Sequence, residues 1–549
     1  MLIRDGLVFD GTGAEPVSAD VALRGDLIAE VGDLPSASAR RLVDARGRVV
    51  APGFIDTHTH SDLAWSLGVE HRDVAAAAVR QGVTTEICGN CGFSPFPCLP
   101  ERRRDVERHI GILSSGPGMD WHDLSGFASA AQAAHLHANL APLVGHGSVR
   151  VGVIGFDDRP PRAEELAAMR RLVEEAFEQG AFGLSSGLIY MPGVYARTEE
   201  LIELAAAVAR HGRPYISHIR GETDMVADSV REAIRIGREA GVPTHISHHK
   251  TAGRQNWGRT EETLGIIEAA RREGLDVTVD VYPYTAGSTV LHAMLPPWAQ
   301  AGGMTAMLDR LRDREARERI KRQLDEPGRD WENIVRAAGW DGVVISSCPA
   351  RTEAEGRSVS ELAAEAGSSD ADYVFDLILQ TEGRATMIVH MMGEEDVRRV
   401  LGYQGAMIGS DGIPLPGKPH PRWAGTFARV LGPCRREQRL FDLATAIWKI
   451  TGMAADRFGL RSRGRLERGC AADVVVFDPD TIRDLATFDQ PLRPPGRRRG
   501  RVRERDAGRQ RRSAHRRQAG QGAGCLSPPS GGRRAELAEP ARAPRAVRR

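Results

Sequence analysis

Hydrophobic and polar positions follow two different patterns along the chain. The first fifty residues carry short apolar segments separated by Asp-Gly and Gly-Asp turns, as in LIRDGLVFDGTG and VALRGDLIAEVGD, which is typical of short β-strands. A related pattern returns near the end in RGRLERGCAADVVVFDPD, where Val474 to Phe477 form a compact apolar run. These two segments predict one small β domain, built from residues 1–50 and 456–492.

The middle of the chain alternates apolar strand segments with helical stretches such as RAEELAAMRRLVEEAFEQG and TDMVADSVREAIRIGREAG. The eight strand candidates are VVAPGFIDTHTH, VTTEICGNCG, NLAPLVGHGS, GAFGLSSGLIY, RPYISHIRGE, VPTHISHHK, LDVTVDVYPY and GAMIGSDG. Eight strand–helix units predict a (β/α)8 barrel of the TIM type over residues 51–455. The fold class is therefore α/β, with a small β domain formed by both chain ends.

Two segments do not fit this alternation. About 120 residues separate Tyr284 from Ala406 and include the charged helical run MLDRLRDREARERIKRQLDE, which is too long for a simple connection. We expect an inserted subdomain around residues 290–345. Beyond Pro494 the chain has no aromatic residue and few aliphatic ones. Such a segment buries too little apolar surface to offset its ordering entropy, which predicts disorder over residues 493–549.

Composition and charge are those of a large soluble globular protein. The chain has 549 residues, 41% hydrophobic and 27% charged. Its net charge is +1. The segment beyond Leu492 has 18 Arg against 4 Asp and Glu, a charge of +14, so the rest of the chain carries −13. We find neither a signal peptide nor an apolar run of about 18 residues that would span a membrane. Seven cysteines, an odd number, favour free thiols and predict a cytoplasmic location.

Two histidines follow the first barrel strand in PGFIDTHTHSD. His58 and His60 are two residues apart, and residues i and i+2 of a strand point to the same side. Both imidazoles can therefore reach one point, as a metal site requires. They could equally be two hydrogen-bonded polar side chains at the end of a strand.

Further polar side chains follow the other strands, and in a (β/α)8 barrel the chemistry lies at the carboxyl ends of the strands. Metal-type residues follow strands one, two, five, six and eight, which is a stronger signal than any single one. A cysteine among them favours zinc over magnesium or calcium, and catalytic zinc lowers the pKa of a bound water to about 7. The polar residues at these strand ends are His58, His60, Cys91, His146, His218, His248, His249, Lys250, Tyr282 and Asp411.

Some of these residues have a second interpretation. The CGNC segment could be a redox or structural-zinc pair, but the chain has no second CxxC and its glycines indicate a tight loop. We therefore expect Cys91 to be a ligand and Cys88 to pack as a small hydrophobic side chain. Asp411 in GSDG could cap a turn, although its position at a strand end favours catalysis.

The remaining histidines divide by position. His146 in VGHG could be a ligand or a hydrogen-bond donor to the ligands, and we favour the donor. His245 is expected to be structural, and His249 is expected to face away from His248. The histidines in helical or loop segments are predicted to be surface or packing residues: His71, His109, His122, His135, His137 and His211.

Taken together, the motifs resemble a known family. APGFIDTHTHSD resembles the first metal motif of the amidohydrolase superfamily. The set GVTTEICGNCGFSP, GLSSGLIYMPGVYARTEELIELA, YISHIRGE, ISHHK, DVYPYTAGST, IGSDG and HPRWAGTFARVLG resembles the D-aminoacylase, or N-acyl-D-amino-acid deacylase, family. The resemblance runs from about residue 1 to about residue 490. A single HxH is weakly specific, whereas the ordered set is highly specific.

The resemblance implies a barrel with a small β-sandwich and a zinc-dependent amide hydrolase. Relatives in this family use a cysteine on strand two where most amidohydrolases use a carboxylated lysine. By this resemblance one zinc is bound tightly by three residues and a second position is weaker and often empty. The implied ligands are Cys91, His218 and His248 at the tight position and His58, His60 and Asp411 at the second.

The resemblance also implies how the substrate is held. Lys250, Tyr282 and Arg422 match the residues that bind the substrate carboxylate, and Ser288 matches a further substrate contact. Positive charge suits an α-carboxylate, and Arg can bind one in bidentate fashion, although Lys250 and Arg422 could instead form structural ion pairs. Asp411 matches the catalytic aspartate, a general base and then a general acid. The expected reaction converts an N-acyl-D-amino acid into a carboxylate and a D-amino acid.

The resemblance stops after TFDQPLRPP, where GRRRGRVRERDAGRQRRSAHRRQAG replaces the strands that would close the sandwich. We hypothesise a frame shift near residue 493; the competing interpretation is a genuine basic tail. Such a tail could bind nucleic acid, but no aromatic residues are interleaved with the arginines to stack on bases.

Two further activities are compatible with the same fold. The chain could be a cyclic amidase of the hydantoinase or dihydropyrimidinase type, or a deaminase; it could also be a catalytically silent relative. The cysteine of GNCG and the HPRWAGTF segment argue against a cyclic amidase, since the cyclic amidases that this fold resembles use a lysine bridge. The expected partner is therefore a small N-acylated amino acid, with neither a membrane nor a nucleic acid, and the oligomeric state stays open.

Overall fold

The structure of the chain is a computed structural model that describes residues 1–111, 119–134, 136–328, 330–496 and 524–525. Its strands are β1 Leu2–Val8, β2 Val17–Arg24, β3 Leu27–Gly32, β4 Leu42–Asp44, β5 Val49–Pro52, β6 Phe54–Asp56, β7 Val83–Cys88, β8 Asn139–Pro142, β9 Val144–Gly145, β10 Leu184–Gly187, β11 Tyr215–His218, β12 Thr244–Ile246, β13 Val277–Val281, β14 Ala286–Val290, β15 Val343–Ile345, β16 Thr386–His390, β17 Ala406–Ile408, β18 Val474–Phe477 and β19 Gly524–Cys525.

Helices connect most of these strands. They are α1 Arg72–Ala75, α2 Arg103–His109, α3 Leu124–Ala133, α4 His146–Val153, α5 Ala163–Glu178, α6 Thr198–Ala206, α7 Val226–Ala240, α8 Thr260–Arg272, α9 Pro297–Gln300, α10 Gly303–Arg312, α11 Arg314–Asp325, α12 Ile334–Ala338, α13 Val359–Ala366, α14 Asp370–Thr381, α15 Glu394–Gly402, α16 Arg422–Arg429, α17 Leu443–Lys449 and α18 Gly452–Phe458. A π-helix, Val430–Glu437, continues α16. Within the described ranges, no helix combines the length and the apolar character needed to cross a bilayer.

Parallel strands form a closed barrel. Strands β6, β7 and β8 pair in that order, and β9, β10, β11, β12, β13 and β17 form a second parallel run. Leu143 joins β8 directly to β9. The first and last strands meet where Thr59 bridges Gly412 in parallel and the Asp411 amide donates to the His58 carbonyl at 2.7 Å. This is the predicted (β/α)8 barrel.

The apolar pattern of the barrel elements explains their burial. All five residues of β13 are buried, as expected for a parallel strand covered on both faces. Helix α7 buries one side of its surface against the barrel, including Val230 and Ile234. It approaches β12 so closely at Gly237 that a Cβ there would collide with the Thr244 hydroxyl.

Both chain ends enter one small β domain. A seven-stranded sheet has the order β19-β18-β5-β1-β2-β3, with β4 paired to β1. Strand β18 runs antiparallel to β5, with Val474 opposite Pro52 and Phe477 opposite Val49. Residues 524–525 add a short strand to β18, which the prediction of a disordered tail did not anticipate. Residues 497–523 and 526–549 lie outside the described residues, as do the predictions made for them about disorder, the frame shift and nucleic acid.

An insertion follows β13 and reaches the mouth of the barrel. Its strands β14, β16 and β15 form an antiparallel sheet in that order, and helices α9 to α14 pack around it. The insertion runs from Ala286 to His390, farther than the predicted 290–345, and its charged helical run forms α10 and α11. Thr289 donates from its hydroxyl to the Tyr190 hydroxyl at 3.0 Å. The insertion therefore contacts the loops at the carboxyl ends of the strands.

Candidate metal centre

Cys91, His218 and His248 converge at the carboxyl ends of three barrel strands. Cys91 Sγ lies 3.6 Å from His218 Nδ1 and 3.5 Å from His248 Nε2. All three side chains are buried, and their ligand atoms lie within 4.8 Å of one another. The arrangement thus presents one sulfur and two imidazole nitrogens to a common point.

The spacing of these atoms fits a tetrahedral zinc. Bonds of about 2.3 Å to sulfur and about 2.0 Å to nitrogen place two tetrahedral ligand atoms about 3.5 Å apart. The distances from the Cys91 sulfur, 3.5 and 3.6 Å, agree with that value. The donor set and its geometry therefore suit zinc, and three protein ligands leave a fourth position open for chemistry.

A second group of ligand-type side chains adjoins the first. His58 Nε2 lies 3.3 Å from Cys91 Sγ and 3.5 Å from Asp411 Oδ1, and His60 Nε2 lies 3.3 Å from the same oxygen. The ligand atoms of His58, His60 and Cys91 lie within 4.8 Å of one another, as do those of His58, His248 and Asp411. The structure thus brings together all six residues expected to surround the metals.

Three of the six non-glycine residues with positive φ in the described part of the chain lie at this centre. Cys91 has φ of 54°, His248 has 34° and Asp411 has 52°. Non-glycine residues seldom adopt positive φ, and such residues cluster at functional sites. In each case the chain turns sharply where a barrel strand ends, which directs the side chain over the mouth of the barrel.

Comparison with known proteins identifies the family. A model of the amidohydrolase family matches residues 41–500. The chain is 40% identical over 491 residues to the D-aminoacylase of Alcaligenes xylosoxydans xylosoxydans, covering 89% of this chain and 90% of that protein. The chain belongs to the D-aminoacylase family of amidohydrolases. For this amidohydrolase, the comparison therefore confirms the family resemblance that its sequence motifs showed.

Two solved structures extend the comparison. The N-acyl-D-glutamate deacylase of Bordetella bronchiseptica, complexed with zinc and a phosphonate inhibitor that mimics the tetrahedral intermediate, has a TM-score of 0.76 and 36% identity. A D-aminoacylase with a binuclear metal centre has a TM-score of 0.74 and 39% identity. In that protein, one metal activates and a second metal attenuates. Each alignment covers 90% of this chain and 93% of the other.

The charges around Cys91 favour its thiolate. Burial alone would raise the pKa of the thiol, but the adjacent His58 and hydrogen bonds from His218 and His248 hold that pKa well below its usual range. The thiolate is the form of cysteine that binds metals. By contrast, burial raises the pKa of Cys88 well above its usual range, which agrees with its predicted role as a small hydrophobic side chain.

Asp411 is paired with Arg422. The Arg422 guanidinium places Nη1 2.7 Å from Asp411 Oδ2, and both side chains are buried. Burial alone would raise the pKa of Asp411, but Arg422 and His248 hold it well below its usual range. The carboxylate is therefore ionised at neutral pH, and its other oxygen, Oδ1, faces the histidines of the second group.

The four residues expected to bind substrate lie beside this centre. Both cations lie over the Tyr282 ring, with Lys250 Nζ 5.6 Å and Arg422 Cζ 4.6 Å from its centroid. Arg422 Nη2 also donates to the Ser288 carbonyl at 3.1 Å. Arg422 Nε is buried without a hydrogen-bond partner among the described residues. An unused, buried guanidinium N–H is a donor available for an anionic ligand.

Lys250 has a partner that the motifs did not identify. Its Nζ lies 2.6 Å from Glu222 Oε1, and the same oxygen lies 3.0 Å from His248 Nδ1. Burial would lower the pKa of Lys250, but Glu222 raises it above its usual range. Reciprocally, Lys250 and the two neighbouring histidines lower the pKa of Glu222 against the effect of burial. This ion pair is charged on both sides.

Asp280 was not selected from the sequence either, although its position in an apolar strand indicated a buried carboxylate. Its Oδ2 lies 2.7 Å from His245 Nε2 and 3.5 Å from His58 Nδ1, and its Oδ1 accepts the His248 amide at 2.6 Å. A carboxylate inside the apolar strand VTVDV needs partners when it is buried. This requirement predicts buried partners for Asp280. Glu332, in the insertion, accepts the Glu222 amide through Oε2 and had no comparable sequence signal.

The structure also places His245, His249 and His146, three further histidines for which the sequence predicted a role. His245 also contacts Thr278, and His249 Nε2 turns away toward the Thr263 hydroxyl, both as expected. The expectation for His146, a donor to the metal ligands, is wrong for the described residues: helix α4 begins at His146, and its Nε2 lies 2.8 Å from Glu200 Oε1.

Proposed function

We propose that this amidohydrolase uses zinc to hydrolyse the amide bond of N-acyl-D-amino acids, releasing a carboxylate and a D-amino acid. The observation that carries this proposal is the Cys91–His218–His248 triangle with the buried cations Lys250 and Arg422 beside it. A hydrolytic metal centre next to two cations suits a substrate that carries an amide close to a carboxylate. The D configuration is supported by three relatives, a D-aminoacylase, an N-acyl-D-glutamate deacylase and an N-acyl-D-aspartate deacylase.

The proposed ligands divide into two positions. Cys91, His218 and His248 hold one zinc tightly, and His58, His60 and Asp411 offer a second, weaker position. Bound zinc polarises the amide carbonyl and makes hydroxide available at neutral pH. The one-metal activation named for a related D-aminoacylase supports the view that the first position is sufficient for activity.

Asp411 is the proposed general base and then general acid. Arg422 holds Oδ2 at 2.7 Å, which leaves Oδ1 directed at the centre. The low pKa of Asp411 keeps its carboxylate ionised at neutral pH, which is the form that can accept a proton. Oδ1 takes a proton from the attacking water and delivers it to the amide nitrogen as the C–N bond breaks.

Lys250, Arg422 and Tyr282 are proposed to bind the α-carboxylate of the substrate. The unpartnered Nε of Arg422 supplies a donor, and Lys250 supplies a second positive charge. Ser288, on strand β14 of the insertion, is proposed as a further contact. An anion between these groups is fixed in orientation, so that the amide lies over the metal centre.

We also propose that the enzyme works in the cytoplasm on a small molecule. The cysteines of the described residues are free and buried, which suits a reducing compartment. They are Cys88, Cys91, Cys98, Cys348, Cys434 and Cys470.

Hydrolysis of paired N-acetyl-D- and N-acetyl-L-amino acids tests the function. Methionine, leucine and glutamate derivatives are compared with and without added zinc. We expect zinc-dependent release of the D-amino acids and about a 10²- to 10⁴-fold lower kcat for Asp411→Asn. Absence of turnover in the D series by folded, zinc-loaded protein would refute the deacylase proposal.

A further inference from the structure

Glu222 joins a metal-ligand candidate to a substrate-binding candidate through one oxygen. Oε1 lies 2.6 Å from Lys250 Nζ and 3.0 Å from His248 Nδ1. The residue follows β11, which ends at His218, and faces the loop after β12 that carries the other two. Only 3% of Glu222 is exposed, so water does not screen these contacts.

The backbone of Glu222 is held from two directions. Its amide donates to Glu332 Oε2 at 2.6 Å, and its carbonyl accepts the Ala252 amide at 2.7 Å. The first bond comes from the insertion and the second from the loop after β12. The carboxylate is therefore held in place by elements on both sides of it.

His248 uses its two nitrogens for different purposes. Nε2 faces Cys91 Sγ at 3.5 Å, in the direction of the metal position. Nδ1 lies 3.0 Å from Glu222 Oε1 and 2.7 Å from Lys250 Nζ. An ammonium has no acceptor, so with Nε2 turned to the metal the hydrogen on Nδ1 can be accepted, of these two groups, only by the Glu222 carboxylate, which orients the ring and selects the tautomer. Carboxylates commonly occupy this place behind a metal-binding histidine, and their removal typically lowers metal affinity or activity about 10- to 100-fold.

We propose that Glu222 is a positioning residue with two tasks, orienting His248 toward the metal and Lys250 toward the substrate carboxylate. Only the second task rests on the proposed function, because orienting His248 requires a metal centre but no particular substrate. One carboxylate oxygen serves both tasks, so metal retention and recognition of the substrate anion depend on the same side chain.

Glu200 provides a matched control. It is also a buried glutamate between a histidine and a basic side chain, with Oε1 2.8 Å from His146 Nε2 and Oε2 2.5 Å from Arg150 Nη1. None of these three residues belongs to the candidate ligand groups of the described chain. A purely structural role for Glu222 would make Glu222→Gln and Glu200→Gln behave alike.

Zinc release tests the first task. Zinc-loaded wild type, Glu222→Gln, Glu222→Asp and Glu200→Gln are mixed with a chromophoric chelator, and near-UV circular dichroism verifies folding. We expect Glu222→Gln to retain zinc about 10- to 100-fold less well, Glu222→Asp to be intermediate because it keeps the charge, and Glu200→Gln to match wild type. Equal retention by Glu222→Gln and wild type would overturn this task. If Glu222→Gln does not fold, Glu222→Asp decides: retention equal to wild type overturns the task, and weaker retention supports it.

Kinetics tests the second task. KM is measured for an N-acetyl-D-amino acid and for its carboxamide, which lacks the charge that Lys250 binds. We expect Glu222→Gln to raise KM for the acid at least threefold more than for the carboxamide, and to add no such difference in a Lys250→Met background. An equal rise in KM for both substrates, or effects of Glu222→Gln and Lys250→Met that simply add, would refute the role of Glu222 in orienting Lys250. If wild type hydrolyses neither substrate, the proposed function fails, while zinc release still tests the role at His248.

Discussion

Arg422 and Asp411 form a buried ion pair in which Nη1 lies 2.7 Å from Oδ2. One residue is the proposed anchor for the substrate carboxylate, and the other is the proposed base. Arg422 also contacts the Ser288 carbonyl, and its Nε is free of hydrogen bonds among the described residues. In the proposed mechanism, substrate binding and proton transfer are therefore linked through one guanidinium.

Removal of Arg422 should impair both functions of this pair. In Arg422→Met the Asp411 carboxylate loses its buried counter-charge and the substrate loses a donor. We expect kcat/KM for N-acetyl-D-amino acids to fall about 10²-fold or more, equivalent to about 3 kcal/mol. The measurement is steady-state kinetics of the folded, zinc-loaded variant.

Arg429 provides a control for this substitution, with similar contacts but a side chain that is 36% exposed where that of Arg422 is buried. The Arg429 Cζ lies 4.5 Å from the Tyr284 ring and its Nη1 lies 3.4 Å from Asp484, as Arg422 contacts Tyr282 and Asp411. Folded Arg429→Met should keep its turnover. Similar losses in both variants would mean that Arg422 acts only through packing.

Replacement of Cys91 should remove zinc from the tight position. In Cys91→Ala the centre loses its sulfur ligand, so we expect zinc retained after desalting to fall well below one atom per chain. Mass spectrometric zinc analysis provides the measurement. Cys88→Ala changes a buried thiol on the same strand–loop segment and should retain zinc; loss in both variants would contradict the assignment of Cys91 as a ligand.

The close contact of α7 with β12 should make Gly237 intolerant of a side chain. A Cβ there collides with the Thr244 hydroxyl, so we expect Gly237→Ala to lower the free energy of unfolding by about 1–3 kcal/mol. Gly265, inside α8, has open space for a Cβ. Gly265→Ala should raise stability by about 0.5–1 kcal/mol. Urea denaturation compares the two, and a stabilised Gly237→Ala would contradict the packing argument.

Lys449 should make stability depend on pH. Burial lowers its pKa from the usual 10.5 to about 7, while its Nζ donates to the Tyr403 and Ala406 carbonyls. Between pH 7 and 10.5 the unfolded chain then binds more protons than the folded chain, so stability rises with pH. We expect this group to add about 2 kcal/mol to the free energy of unfolding from pH 7 to pH 9.

Comparison with Lys449→Met isolates this contribution. The variant lacks the titrating amine, so the difference in its free energy of unfolding from wild type should change by about 2 kcal/mol between pH 7 and pH 9. Chemical denaturation at both values provides the measurement. A difference that does not vary with pH would show that Lys449 keeps its proton in the folded state.

The fold was largely predictable because its signals are local. The eight apolar segments became the barrel strands, and the helical stretches at residues 162–180 and 223–241 became α5 and α7. Strand β18 joined the sheet of the first residues, as its pattern predicted. The extent of the insertion, by contrast, depends on pairing across long stretches of chain, since β16 pairs with β14 and β15 pairs with β16.

Residue type and position at strand ends sufficed to group the candidate metal ligands, since a (β/α)8 barrel brings those ends together whatever its loops do. Cys91, His218, His248 and Asp411 could be selected for that reason. The partners of these residues could not be selected, because Glu222, Asp280 and Glu332 become neighbours only when loops from different strands pack. The pairing of Arg422 with Asp411, and of Lys250 with Glu222, likewise depends on burial in the folded protein, where each charge needs a counter-charge within a few ångströms.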